Sequence, residues 1–105
     1  MKTLSDIKAA AEKHGSHWFD RDTMAFFNTR LQSKVYPMDT GDTLFVTSER
    51  MDADHPRRYS IRRAYFDGEG RFQIRTIGDF QEYATADKAH RAAELLARAK
   101  EELTG

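Results

Sequence analysis

RRYSIRRAYFDGEGRFQIR, residues Arg57 to Arg75, carries six arginines and decides how the chain is read. Its second half alternates, with Phe72, Ile74 and Thr76 on one face and Arg71, Gln73 and Arg75 on the other, the period of a strand. Asp67-Gly-Glu-Gly supplies a hairpin turn with glycine available for positive φ. Tyr59–Phe66 then reads as the partner strand. In a regular strand Arg58, Ser60, Arg62 and Ala64 share one face, and Tyr59, Ile61, Arg63 and Tyr65 share the other. Arg63 fits a core badly, so a bulge at Arg62-Arg63 that turns both outward is expected. Arg57, Arg58, Arg62, Arg63, Arg71 and Arg75, with Tyr65, then form a basic sheet face. Such a face can stack bases and bind phosphates, or it can simply keep an exposed antiparallel sheet soluble.

Working outward, Thr43–Ser48 (TLFVTS) is rich in β-branched and aromatic residues and reads as another strand. Val35-Tyr-Pro is a short extended piece, because Pro37 biases Tyr36 toward β. Thr3 is an N-cap with Asp6 in the first turn of a helix that carries Leu4, Ile7, Ala11 and His14 and ends at Gly15. Asp20 caps a second helix over roughly 21–30, with Met24, Phe27 and Leu31 on its stripe and Phe26 off it. Between them Trp18 and Phe19 anchor a linker. Thr85 opens the last helix, whose apolar stripe is Ala89, Ala92, Ala93, Leu96 and Leu103. The expected architecture is a single α+β domain over residues 1–105. It has two short N-terminal helices, a three-stranded antiparallel sheet with a fourth strand near Val35 as the variant, and a C-terminal helix on one sheet face.

The totals bound the function. The chain has 105 residues, 17 basic and 17 acidic groups and no cysteine; its mean hydropathy is −0.78. Zero net charge argues against whole-surface binding of nucleic acid. The charge is nevertheless segregated, because residues 57–75 set six arginines against Asp67 and Glu69 while the segments on either side are net acidic. Without cysteine there are no disulfides, thiolate metal sites or Cys nucleophile. No signal peptide or membrane-length apolar run is seen, which leads to an expectation of a cytoplasmic protein.

No residue is assigned a catalytic role and no cofactor is expected. His14 and His17, with Asp20 and Asp22 nearby, lack the three or four converging ligands that zinc requires. Asp39, Asp42, Glu49, Asp52 and Asp54 lack the order of a calcium loop; they read as solvated loops or as a surface for a basic partner. Ser16 beside His17 is adjacency along the chain, without the third group of a triad.

Three segments together carry a resemblance: KTLSDIKAA (Lys2–Ala10), HWFDRDTMAFFNTR (His17–Arg30) and RRYSIRR with TIGDFQEYAT (Arg57–Arg63, Thr76–Thr85). They resemble a family of small proteins of unassigned activity encoded by bacteriophages and prophages. The βββα half is also similar in topology to the DNA-binding domains at the N-termini of some phage integrases. The first resemblance implies a non-enzymatic protein in the cytoplasm of a bacterial host. It would inhibit a host defence complex, such as a CRISPR-type nuclease, by stoichiometric contact, as anti-CRISPR proteins do. The alternatives are a nucleic-acid-binding module using the arginines, and a small assembly protein.

Overall fold

Every residue of the strand Thr43–Glu49 is buried, and that single fact organises the molecule. In the computed structural model, which describes residues 1–98 in full and the backbone to Thr104, this strand has a neighbour on each side and helices over both faces. The order is α1 (Leu4–Lys13), α2 (Arg21–Phe26), β1 (Arg30–Pro37), β2 (Thr43–Glu49), β3 (Arg58–Phe66), β4 (Phe72–Ile77) and α3 (Ala86–Thr104). The four strands form one antiparallel meander in the order β1-β2-β3-β4.

The sheet is therefore four-stranded, and the piece near Val35 is a full strand of eight residues. α2 is correspondingly shorter than the apolar spacing predicts. Phe27 caps it, and Asn28 at φ +50 takes the left-handed conformation that Asn tolerates, which turns the chain into β1. Asp20 stands at the N-cap but makes no capping bond; its carboxylate accepts from His17 Nδ1 at 2.7 Å. At α1 the Thr3–Asp6 reciprocal cap is present, and Gly15 follows the helix at φ +71.

Two apolar layers flank the sheet. Ile7 and Ala11 of α1 pack on Phe45, Ala64 and Phe72, with Trp18 and Phe19 alongside. Ala89, Ala93 and Ala97 of α3 pack on Leu44, Val46, Ile61 and Tyr36 on the other side. Burying side chains such as Phe45 and Ile61 stabilises the fold by about 1.5–3 kcal/mol each. The C-terminal helix thus lies on one sheet face as expected, while the other face, expected to be open and basic, is covered by α1. The stripe of α3 is also rotated. Ala97 is buried, whereas Leu96 keeps 38% of its surface exposed because it lies on the flank of the helix. The side chain of Leu103 lies outside the described residues.

A candidate binding groove beside Arg62

Pairing of β2 with β3 runs without a break, Leu44 opposite Arg63 and Phe45 opposite Arg62, and so does pairing of β3 with β4. The bulge expected at Arg62-Arg63 is absent. Regular alternation places Arg62 on the α1 face and Arg63 on the α3 face, and each finds a carboxylate there instead of solvent.

Glu49 is the last residue of β2 and is fully buried, not part of the polar loop that the sequence suggests. Its Oε1 accepts from the Ser60 hydroxyl at 2.7 Å, and its Oε2 accepts from the Thr47 hydroxyl and from Arg62 Nη2 at 3.0 Å. Arg62 also donates from Nε to Thr47 Oγ1 and from Nη1 to Thr76 Oγ1. Three of its five N–H groups are so engaged. The guanidinium carbon lies 5.4 Å from the centre of the Trp18 ring and 5.3 Å from that of Phe80, within cation–π range of both. Phe80 is held there by the turn after β4. Gly78 adopts φ +71 and Gln81 φ +59, Asp79 N–H donates to Glu82 Oε1, and Gln81 N–H donates to Ser60 Oγ. The positive φ is what makes this turn need glycine; a Cβ there would meet only the movable end of the Glu82 side chain.

Above Arg62 opens a groove of about 530 Å³. Trp18, Met24, Phe26, Phe27 and Phe80 give it apolar walls, and Asp22 and Thr23 add polar groups. Phe26 is 77% exposed, although its ring stands edge-on to Phe27 with centroids 4.6 Å apart; Phe27 in turn contacts Phe80 at 5.0 Å. Phe26 also borders a smaller hollow of about 310 Å³ formed with Arg50, Met51 and Asp52. Phe26, Met51 at 51% exposure and Phe80 at 39% are thus large apolar side chains that the fold leaves open around these two hollows.

The remaining arginines of the quoted stretch are dispersed. Arg57 donates to the carbonyls of Asn28 and Ser48, and Arg58 to those of Gln81 and Glu82, tying loops to the end of the sheet. Arg63 donates to Asp42 Oδ2 from Nε and Nη2 at 2.8 and 2.6 Å, and its guanidinium lies 4.3 Å from the Tyr65 ring centre. Arg71 pairs with Asp67 and Glu69 inside its own hairpin turn. Arg75 is exposed. The basic and acidic sets read from the sequence therefore meet each other twice, Arg62 with Glu49 and Arg63 with Asp42. Asp52 accepts from Asp54 N–H and from His55 Nδ1; the His55 bond, followed by that of the Asp54 amide, holds its carboxyl below the usual range. Asp39 and Asp54 are exposed.

Among the described residues no group of three or more His, Cys, Asp or Glu side chains is placed to hold a metal ion, and no helix is long and apolar enough to cross a membrane. Sequence reasoning missed the groove because its walls come from four separated segments. The one signal in its favour was Phe26, which the helical stripe does not absorb. Neither curated proteins nor solved structures give a match to the chain. A family of unknown function, DUF7447, matches residues 3–94, and the chain belongs to that family.

Proposed function

We propose that the chain is a non-enzymatic binding protein that acts by direct contact with a partner protein through the aromatic face around Phe26. The observation that carries this reading is the exposure of Phe26 between two hollows, with Met51 and Phe80 also open, on a chain of which 32% is charged. Exposed aromatic clusters of this kind mark interaction sites, and aromatic anchors dominate the energetics of protein interfaces. The phage resemblance of the sequence supplies the setting: the partner is a component of a host defence complex, and the contact is inhibitory.

The arginines support a nucleic-acid module less well. Arg62 and Arg63 point to opposite faces, and both are matched by carboxylates. In the test, the native chain is co-expressed with a panel of defence systems, CRISPR-type nucleases among them, and phage plating is scored. The native chain restores plating against one system, and Phe26→Ser with Phe80→Ser abolishes the effect while leaving the protein folded. Plating that stays suppressed across the panel overturns the inhibitory reading, and a double variant that still inhibits overturns the surface.

A further inference from the structure

The chemistry of the partner can be read from the charges around the groove. Arg62 is the cation nearest its aromatic walls, but the fully buried Glu49 bonds it at 3.0 Å and cancels its charge. What is left in the wall is the carboxylate of Asp22. Beside Phe26 the second hollow carries Asp52, with exposed Asp54 two residues on. Arg50, the cation there, donates from Nε and Nη2 to the carbonyls of Asp52, Ala53 and His55, which hold it without cancelling its charge, and Asp52 is itself met by His55 Nδ1 at 2.7 Å. The second hollow is therefore of mixed sign, whereas the groove is apolar with the Asp22 carboxylate as its remaining charge, and an interface rim selects its partner by complementary charge.

Resting on the protein-contact reading above, we propose that the partner segment received at Phe26 is an apolar anchor flanked by lysine or arginine, and that Asp22 selects the cation. The anchor fills the groove against Phe26, Phe80 and Trp18, and a flanking cation meets the Asp22 carboxylate in the groove wall. An anion, including a nucleic-acid phosphate, finds no uncompensated cation in the groove wall.

Trp18 is the only tryptophan of the chain and lines the groove, so its fluorescence reports occupancy. The probes are a hexapeptide with two central phenylalanines flanked by lysines, its counterpart with glutamates in place of the lysines, and a single-stranded oligothymidylate. All are titrated to millimolar concentration. The lysine peptide shifts Trp18 emission, and its affinity falls as salt rises from 20 to 500 mM, values chosen to shorten the screening length several-fold. Asp22→Asn weakens it about threefold, the scale of one rim charge, and Phe26→Ser removes binding. Equal or tighter binding of the glutamate peptide or the oligonucleotide overturns the proposal. So does absence of any shift with the lysine peptide, or a concentration-dependent dimer in sedimentation that Phe26→Ser abolishes, since a second copy then fills the groove. These results are separable from the fate of the functional reading. If the lysine peptide fails while Phe26→Ser still abolishes inhibition, only the partner chemistry is wrong.

Discussion

Arg62 and Arg63 follow each other along β3, yet Arg62 keeps 11% side-chain exposure against a carboxylate with none, while Arg63 keeps 31% beside Asp42 at 13%. The first pair is enclosed by Trp18, Phe80 and three hydroxyl-bearing neighbours; the second leans on Tyr65 at the end of the sheet nearer to water. The difference teaches that the same two residue types do different work by depth. A buried pair is held by what its removal would strand, because each ion left alone has lost its water. A partly exposed pair keeps some solvent to fall back on.

That contrast can be broken in order of size. Glu49→Ala strands the Arg62 guanidinium and is expected to lower stability by about 3–5 kcal/mol in urea denaturation. Replacing both partners, Glu49→Leu with Arg62→Met, should recover about half of that loss or more, since no buried charge remains. A double variant as unstable as the single one would show that the hydroxyls of Ser60 and Thr47, not the charge, set the cost. Asp42→Asn should cost about 1 kcal/mol or less, and less again in 1 M salt. Phe26→Ser, despite its proposed importance for binding, should change stability by no more than about 0.5 kcal/mol, because the ring is already mostly in water.

A smaller effect lies at the α3 face. His90 Nε2–H donates to Gln32 Oε1, and the Tyr36 hydroxyl donates to His90 Nδ1 at 2.8 Å, which fixes a neutral ring between β1 and α3. Burial, and then the nearby Lys34, hold its pKa below the usual 6.5. A depressed histidine stabilises the fold in its neutral form. Its contribution is therefore present above pH 6.5 and lost as pH falls through the folded value. His90→Gln should flatten the stability profile in that window. Below about pH 4 a separate loss is expected from Asp67 and Asp6. Their carboxyls are held under 3.8 first by the amides of Arg71 and Lys2 respectively, and their contribution fades as pH drops through those lowered values.

The hairpin was legible because Phe72, Ile74 and Thr76 alternate cleanly, and α1 because its cap, apolar spacing and terminal glycine agree. The mistakes came from partners distant in sequence. Arg63 conflicts with a core only until Asp42, 21 residues earlier, is known to stand beside it. Glu49 looks like a loop residue until Ser60 and Arg62 enclose it from the next strand. β2 reads as a strand on composition, and only its central place in the sheet, with helices over both faces, makes it buried throughout. The groove was beyond sequence reasoning in a further sense, for it exists only where the linker, α2, β3 and the Gly78 turn converge.

The regular pairing through Arg62 and Arg63 has one more consequence. An arginine doublet offers a guanidinium to each face whichever way the strand is turned, yet displacing β3 by a single position would move Arg62 into the fully buried site of Ile61 or Arg63 into that of Ala64. The residues just before them add to that discrimination. In the native alignment Ile61 is fully buried with the α3 alanines and Ser60 bonds Glu49. Displaced by one, isoleucine would face a carboxylate and serine an oily layer. The doublet that dominates the sequence by charge and the unremarkable Ser60-Ile61 step before it thus choose the same strand alignment.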